Sequence, residues 1–456
     1  MTNITPPSGL HGNPPSRLGN EFALMKRSIL LIRREAHTLH NRFILNFHFI
    51  TFAVQFYPVL MQIANRLNSF SEPQTLKMAK MGRELRAQGY NVIDLSLGEP
   101  DFITPQHIRD AAVEALDKGY TKYTPVVGIP ELREAISQKL KRDNQLEYGI
   151  DEIIVSTGAK QSLANAVLSI INPGDEVLIP TPYWVTYSAL VELAEGIVKF
   201  LPCAIETDFK LTADKLEAAI TSKTKLFIFS SPCNPSGSVY SKEELHALAE
   251  VFIKYPDIAI ISDEIYEYIN YIGKHESIAQ FTELKDRVIV VNGFSKGFAM
   301  TGWRLGYLAG PKNLVQACEK LQGQFTSGTN SIAQRAGVVA LNSSLEPTLE
   351  MVAAFRHRKE YVIEALGNID GIKINDPQGA FYAFPDVSSF FGKTDGAAII
   401  NNDVDLSMYL LNTAHVTTVC GSAFGNDKCI RLSFATSLDN LKEGILRMKQ
   451  ALEALH

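Results

Sequence analysis

Between about residue 150 and residue 295, short apolar runs alternate with stretches long enough to form helices. The runs are IIVS (153–156), EVLIP (176–180), KLFIFSS (225–231), IAIISDE (258–264) and RVIVVNG (287–293). They are apolar nearly throughout rather than at every second position, which is typical of strands buried on both faces of a sheet. Because helix-length segments separate them, the pattern predicts an α/β fold with a mostly parallel sheet between helices.

Helical patterns precede this region at 74–89, 105–118 and 130–142, and the last two each have a proline near the first turn. Near residue 345 the rhythm changes to a long helix at 345–367, two short apolar runs, a helix near 403–413 and the run CIRLSFAT, which predicts a smaller α+β lobe. We therefore expect an extension (1–60), an N-terminal arm with part of a small domain (61–105), a large domain (106–344) and the rest of the small domain (345–456).

The first sixty residues differ from the rest of the chain. They carry six basic and two acidic residues, a net charge of +4, whereas the whole chain carries −5. Residues 43–65 contain no Asp, Glu, Lys or Arg, and basic residues precede them, as in a signal anchor. An Arg-rich start that is poor in acidic residues also resembles a mitochondrial transit peptide.

Three interpretations of the segment stay open: an extension or mis-assigned start, a targeting segment, and a membrane anchor through 43–60. We favour the first, because Met61 lies just before the first segment with the pattern of a folded domain. We then expect the protein in the cytoplasm. A real targeting segment would place it in mitochondria or at a membrane.

Composition narrows the classes of function. The 456 residues include 44 Lys+Arg and 49 Asp+Glu, so a large basic surface for nucleic acid is not expected. A hydrophobic fraction of 46% is enough for a large core and excludes disorder as the dominant state. The five cysteines form no CxxC pair, which argues against a disulfide framework or structural zinc and favours a reducing compartment. No metal site is expected.

Polar motifs follow the predicted strands, where ligands of parallel α/β sheets bind. They are TGAKQS (157–162), SSPCNPSG (230–237), SDEIY (262–266) and NGFSKGFAMTGWRLGY (292–307). Asp263 ends one apolar strand, and a buried carboxylate needs a cationic partner. Lys296 follows another, and a partly buried lysine with a lowered pKa is suited to form a Schiff base.

Pyridoxal 5′-phosphate would satisfy both groups. Its aldehyde reacts with a lysine, and its protonated ring nitrogen pairs with a carboxylate. Its phosphate would bind the N–H groups at the helix start in TGAKQS together with Arg304, eight residues after Lys296. No Walker loop or GxGxxG motif offers a competing nucleotide site.

These motifs, in this order and spacing, resemble the class I aminotransferases of fold type I, and more narrowly the bacterial-type aspartate aminotransferase subgroup. The resemblance extends from about residue 66 to the C-terminus. It implies a homodimer with active sites at the interface, amino-acid and 2-oxo-acid substrates, and no nucleic-acid partner.

The resemblance also implies roles for cofactor-binding residues. Lys296 resembles the lysine that binds the cofactor aldehyde and shuttles a proton. Asp263 resembles the partner of the ring nitrogen. The other expected cofactor contacts are Tyr266 and Asn234 at the 3′-oxygen, Trp184 on the ring face, Gly158, Ala159 and Arg304 at the phosphate, and Tyr123 at the phosphate of the neighbouring subunit. Relatives often have a phosphate-binding Ser where this chain has Gly293, so Ser295 is a weaker candidate for that role.

For the substrate, Arg431 resembles the arginine that holds the α-carboxylate, and Gly98 a backbone contact to the same group. Lys160 resembles the lysine that recognises a distal carboxylate, with Thr75 nearby. Asn234 and Trp184 are expected to contact the substrate as well. The implied activity is transfer of an amino group from an L-amino acid, aspartate first, to 2-oxoglutarate.

Other activities stay open on the same scaffold. They are aromatic, prephenate or broad-specificity aminotransfer, and a pyridoxal-phosphate-dependent lyase reaction. A cofactor-sensing regulator would need a DNA-binding module, and residues 1–60 contain no recognisable helix-turn-helix. A membrane-tethered scaffold protein is disfavoured, because Lys296, Asp263 and Arg431 are all present.

Overall fold

The computed structural model describes residues 61–68 and 74–456. The interpretations of residues 1–60, including the charge-free run, lie outside these described residues. Within the described part of the chain, no helix combines the length and the apolar character that a membrane crossing requires. The proposed division at residues 105 and 344 stays a prediction.

The strands are β1 (Ile93–Asp94), β2 (Ile153–Ser156), β3 (Glu176–Thr181), β4 (Ile197–Pro202), β5 (Thr224–Ser230), β6 (Ala259–Asp263), β7 (Val288–Gly293), β8 (Gly306–Ala309), β9 (Tyr382–Ala383), β10 (Val416–Thr417), β11 (Val419–Cys420) and β12 (Ile430–Ser433).

The α-helices are α1 (Gln74–Ala87), α2 (Gln106–Asp117), α3 (Pro130–Lys139), α4 (Ala159–Ile170), α5 (Thr186–Leu193), α6 (Ala213–Ala219), α7 (Lys242–Lys254), α8 (Lys312–Phe325), α9 (Ser331–Asn342), α10 (Glu346–Gly367), α11 (Asp403–Tyr409) and α12 (Leu438–Glu453). Helices α3 and α11 each continue into a π-helical turn, at Leu140–Asn144 and Leu410–Ala414.

Seven of the described strands form the main sheet, in the order β2-β8-β7-β6-β5-β3-β4. All of them run in one direction except β8, which is antiparallel to both of its neighbours. The predicted α/β class is therefore confirmed. The predicted strands match β2, β3, β5, β6 and β7 to within one residue at each end.

Two strands of the main sheet were not predicted. Strand β4 lies at the sheet edge, and most of its side chains are exposed or half-buried, so it lacks a continuous apolar run. Strand β8 is short, and it begins within the motif 292–307, which looked like one long turn. Its antiparallel direction matters for the site, because the start of β8 lies at the edge where the parallel strands end.

Hydrophobic packing covers both faces of the main sheet, one with residues such as Phe227 and Val290 and the other with residues such as Ile228 and Val291. A separate apolar cluster surrounds the C-terminal part of the chain, where α10 and α12 pack with β9, β10 and β12. Strand β1 pairs in parallel with β10, so the segment just before Gly98 joins this second cluster. Residues from both regions thereby reach one cavity.

Candidate active site

A cavity of about 440 Å³ lies at the carboxyl-end edge of the main sheet. Asp263 is the last residue of β6, and Lys296 follows β7 by three residues. Most of the predicted site residues line it: Thr75, Gly98, Ala159, Lys160, Trp184, Asn234, Asp263, Tyr266, Ser295, Lys296, Arg304 and Arg431. The structure thus brings together residues that are up to 356 positions apart in the chain, from Thr75 to Arg431.

Two predicted residues lie outside the cavity lining. Gly158 adjoins it and packs against Arg304: a Cβ added at Gly158 would lie 2.3 Å from Arg304 Nη2. Gly158 also has a φ of +81°, so glycine is the residue that suits both the backbone and the contact. Tyr123 does not line the cavity, and its side chain is 96% exposed.

The amine of Lys296 lies in surroundings that favour its neutral form. Burial lowers the pKa of Lys296 to about 8, although the carboxylate of Glu99 acts in the opposite direction. Its Nζ donates a hydrogen bond to the carbonyl of Gly98 and makes no ion pair among the described residues. A lysine with these properties can act as a nucleophile near neutral pH.

Asp263 is buried, with 4% of its surface exposed. The Tyr187 hydroxyl donates to its Oδ2 at 2.7 Å, and the Ile265 N–H donates to its Oδ1 at 3.3 Å. Burial raises the pKa of Asp263 to about 6, against the opposing effect of the Tyr187 hydrogen bond. The carboxylate makes no ion pair in the described part of the chain, so a cationic ligand group beside it would compensate its burial.

Two tyrosines form a hydrogen-bonded pair in the cavity wall. The hydroxyl oxygens of Tyr266 and Tyr382 lie 2.7 Å apart. The Lys296 Nζ lies 5.7 Å from the centroid of the Tyr266 ring. Burial raises the pKa of both phenols, so they stay protonated, and the hydroxyl that accepts within the pair can donate its own proton to an oxygen of a ligand. Tyr382 was not among the predicted residues.

Arg431 is a buried guanidinium, with 2% of its surface exposed. Its Nη2 donates to the carbonyl of Ser96 at 2.6 Å, its Nη1 donates to the Oδ1 of Asn234 at 3.1 Å, and its Nε has no hydrogen-bond partner. The Tyr382 ring lies under it, 4.6 Å from Cζ. No described carboxylate pairs with this cation, although arginine stays charged even when it is buried. The arrangement suits an anionic ligand group.

The start of α4 and the start of β8 together form a cradle for an anion. The first N–H groups of a helix have no partner within the helix, and Gly158 supplies no side-chain cap at α4. Arg304 precedes β8 and donates to the carbonyls of Thr301 and Thr157. Helix N–H groups and a guanidinium are typical ligands of a phosphate. The buried Ser295 also lines this cavity.

Gly293 stands where the resemblance led us to expect a serine, and its surroundings explain why a glycine fits there. An added Cβ would lie 2.9 Å from Gly306 Cα and 3.0 Å from the carbonyl oxygen of Leu305. Gly293 and Gly306 are direct partners across β7 and β8. The close approach of these two strands brings Arg304 to the edge of the sheet beside Lys296.

Lys160 and Trp184 lie against each other in the cavity lining. The Lys160 Nζ lies 5.0 Å from the centroid of the Trp184 ring. Partial burial, together with the guanidinium of Arg304, lowers the pKa of Lys160. Thr75, the second residue of α1, lines the same cavity. Lys160 has no acidic partner among the described residues and is free to bind an anionic group.

A second polar cluster follows Asp263 directly. Glu264, Glu267 and His275 bring potential metal-ligand atoms within 4.8 Å of one another. Lys139 pairs with Glu267, and the Ser262 hydroxyl donates to Glu264 at 2.8 Å. Burial alone would lower the pKa of His275, but the Glu264 carboxylate, 3.0 Å away, raises it. Lys139 and His275 thus already lie beside the two carboxylates, and we assign no metal to this cluster.

The residues of the cavity fit pyridoxal phosphate on structural grounds. A buried carboxylate without an ion-pair partner, an amine with a lowered pKa and a phosphate cradle all lie at one edge of the sheet. Together with the strand order, this chemistry places the chain among the pyridoxal-phosphate-dependent enzymes of fold type I.

Comparison with known proteins identifies the family. The family model described as aminotransferase class I and II matches residues 90–448, and the chain belongs to this family. Its members use pyridoxal 5′-phosphate and act on amino acids and 2-oxo acids. The predicted resemblance, cofactor and class of enzyme are thus confirmed.

Individual relatives cover most of the chain. It is 48% identical to the bifunctional aspartate aminotransferase and glutamate/aspartate-prephenate aminotransferase of Petunia hybrida, over 86% of this chain and 83% of that protein. It is 46% identical to the aspartate/prephenate aminotransferase of Nitrosomonas europaea, over 86% of this chain and all of that protein. The crystal structure of the aspartate aminotransferase from Rhizobium meliloti matches with a TM-score of 0.85 and 44% identity, over 87% of this chain and 100% of that one.

Proposed function

We propose that this aminotransferase moves the amino group of L-aspartate to 2-oxoglutarate, giving oxaloacetate and glutamate. The observation that carries the proposal is the pair of cations, Arg431 and Lys160, that line one cavity without acidic partners among the described residues. A dicarboxylic amino acid has two carboxylates, one for Arg431 and one for Lys160. Aspartate and prephenate also occur in the names of the relatives from Petunia and Nitrosomonas.

The residues of the cavity divide the work as follows. Bound pyridoxal phosphate supplies the electron sink that stabilises negative charge at the substrate α-carbon. Asp263 would lie beside the ring nitrogen of the cofactor and favour its protonated form. Lys296 would hold the cofactor through its Nζ and, once the substrate amine has displaced it, the neutral Nζ would accept and later release the proton of the substrate α-carbon. Tyr266 and Asn234 would donate hydrogen bonds to the 3′-oxygen, and Trp184 would cover the ring face.

The remaining predicted roles concern anionic groups. Arg431 holds the α-carboxylate in a fork, assisted by the backbone at Gly98. Arg304, Ser295 and the N–H groups at Gly158 and Ala159 bind the cofactor phosphate. Lys160, with Thr75 nearby, binds the distal carboxylate.

Prephenate is the second candidate substrate, and its second carboxylate would bind Lys160. It also carries two carboxylates, and two of the relatives are named for aspartate and prephenate together. The same two cations would then hold a bulkier dicarboxylate, with Trp184 as an apolar wall. Aromatic or broader specificity and a lyase reaction use the same cofactor contacts, so a panel of substrates is needed to rank the activities.

Replacing Lys160 with alanine tests the assignment of the distal carboxylate. We expect kcat/KM for aspartate to fall by about 10- to 100-fold, the worth of a hydrogen bond to a charged group. The value for a monocarboxylic donor such as alanine should change by less than about threefold. The measurement is oxo-acid formation from a panel of amino donors, including glutamate, aspartate and phenylalanine, with 2-oxoglutarate, oxaloacetate and prephenate as acceptors.

Lys312→Ala is a suitable control, because this exposed lysine pairs with Asp151 and does not line the cavity. Equal losses for aspartate and alanine in the Lys160 variant would exclude the proposed contact. A wild-type protein that transfers no amino group from aspartate would exclude the proposed substrate while leaving the family unchanged.

We further propose that the active unit is a homodimer. Tyr123 is 96% exposed and does not line the cavity of its own chain. This is the expected placement for a residue that completes the site of a neighbouring subunit. Mixing inactive Lys296→Ala chains with Tyr123→Phe chains, after dissociation and reassociation, should form hybrids that contain one site with both residues intact. We expect activity above that of either parent, and sedimentation at the mass of two chains. A monomeric active enzyme would contradict the proposal.

A further inference from the structure

Tyr187 contacts the buried carboxylate of the site and was not among the predicted residues. It is the second residue of α5, and its side chain is 1% exposed. Its hydroxyl donates to Asp263 Oδ2 at 2.7 Å. This is the shorter of the two hydrogen bonds that the Asp263 side chain accepts within the described residues.

The two oxygens of Asp263 therefore have different surroundings. Oδ2 is held by the Tyr187 hydroxyl, whereas Oδ1 accepts only the Ile265 N–H at 3.3 Å, which is longer than an ordinary N–H···O bond. The terminal torsion of an aspartate is broad and has little intrinsic preference. A short hydrogen bond on one oxygen is thus the main restraint on the direction in which the other oxygen points.

We propose that Tyr187 is a positioning residue whose hydroxyl orients Asp263, so that the free side of the carboxylate faces the ring nitrogen of the cofactor. This inference rests on the proposed function, since it assigns Asp263 to that nitrogen. The Tyr187 hydroxyl acts on the carboxylate and takes no part in the chemistry itself.

The hydrogen bond from Tyr187 also favours the ionised form of Asp263, the form that can pair with a cationic ring nitrogen. Burial raises the pKa of Asp263, and the hydrogen bond from Tyr187 opposes this effect by stabilising the ionised form. Removal of the hydroxyl should raise the pKa of Asp263 further. A larger fraction of the carboxyl groups would then be protonated at pH 7, and a protonated carboxyl cannot compensate a cationic ring nitrogen.

A purely structural role for Tyr187 makes a different prediction. Its ring packs edge-to-face on Trp184, with the centroids 5.6 Å apart. Tyr187→Phe keeps this packing and removes only the hydroxyl. The matched control is Tyr183→Phe, because Tyr183 is also buried and its hydroxyl donates to Ser188 at 2.9 Å rather than to Asp263.

The experiment compares both variants with the wild-type holoenzyme. For Tyr187→Phe we expect the dissociation constant of pyridoxal phosphate, measured by titration of the apoenzyme, to rise about tenfold. The pH midpoint of the bound cofactor's visible absorption should shift, and kcat should fall about tenfold while KM changes by less than about twofold. Tyr183→Phe should match the wild type in all three measurements.

A double-mutant cycle with Asp263→Asn tests whether Tyr187 acts through Asp263. If it does, Tyr187→Phe should have little further effect on cofactor affinity in the Asp263→Asn background. Additive losses in the two backgrounds would overturn the proposal, and so would a Tyr187→Phe enzyme with unchanged affinity and absorption. Equal losses in the Tyr183 and Tyr187 variants would also overturn it, because packing would then explain both. Failure of the proposed function would appear separately, as a wild-type protein that binds the cofactor but transfers no amino group from aspartate.

Discussion

Replacement of Lys296 by alanine should reduce transamination at least about a thousand-fold, because the residue is assigned both the covalent attachment of the cofactor and the proton transfer. The variant should also lose the visible absorption band of the lysine-bound cofactor, while retaining the remaining contacts to the phosphate and the ring. Steady-state kinetics and absorption spectra of the reconstituted protein provide the measurement. Lys296→Arg should be equally inactive, since a guanidinium keeps the charge but does not react with the aldehyde.

The pKa of Lys296 adds a second measurement on the unmodified protein. Below a pKa of about 8 the amine is mostly protonated and cannot attack an aldehyde, and above it the neutral form predominates. The rate of reconstitution from the apoenzyme and pyridoxal phosphate should therefore rise with pH, with its midpoint near pH 8, and level off at higher pH. Lys312→Ala is the matched control, because this exposed lysine pairs with Asp151, away from the cavity. Full activity of Lys296→Ala, or a midpoint near the ordinary lysine value, would contradict the assignment.

The main sheet could be predicted because its parallel strands are buried on both faces. Every residue of β3 and β7 is buried, and each strand contains an unbroken apolar run, Val177–Ile179 in β3 and Val288–Val291 in β7. Once parallel strands are assigned, their carboxyl ends must meet at one edge, so the sequence alone was enough to place Asp263 and Lys296 near each other. Edge strand β4 was missed because its side chains are largely exposed, so its sequence contains no continuous apolar run.

Arg304 is a residue that the sequence could suggest for the phosphate but could not place. The sequence contains an arginine eight residues after Lys296, but the spacing alone does not show that the chain turns between them. The structure supplies the reason: β8 runs antiparallel to β7, and two facing glycines, Gly293 and Gly306, allow close approach of the two strands. Arg304 therefore lies at the same edge of the sheet as the end of β7, which Lys296 follows.

Tyr187 and Tyr382 mark the limit of inference from sequence. Both are buried tyrosines in largely apolar segments, and nothing in the spacing separates them from core residues. Their partners, Asp263 and Tyr266, lie 76 and 116 positions away in the chain. Such contacts depend on how the helices and the second apolar cluster pack on the sheet, which local patterns do not determine.

Arg431 should matter for every amino donor, in contrast to Lys160, because the α-carboxylate is common to all of them. Its guanidinium is buried, and its hydrogen bonds go to neutral groups, Ser96 and Asn234. A carboxylate that enters this site supplies the missing negative charge in a medium that screens poorly. Truncating one partner of such a buried pair typically costs about 2–5 kcal/mol, so Arg431→Gln should lower kcat/KM roughly 30- to 4,000-fold for aspartate and alanine alike.

Two further variants separate charge from geometry at this position. Arg431→Lys keeps the charge but loses the planar fork, so its kcat/KM should lie between those of the wild type and of Arg431→Gln. Arg447→Gln is the control, because Arg447 pairs with Glu443 on the outer face of α12 and does not line the cavity. The absorption of the bound cofactor should be retained in all three proteins, which distinguishes a lost substrate contact from a lost cofactor. A loss confined to aspartate would instead assign Arg431 to the distal carboxylate and reverse the proposed orientation of the substrate.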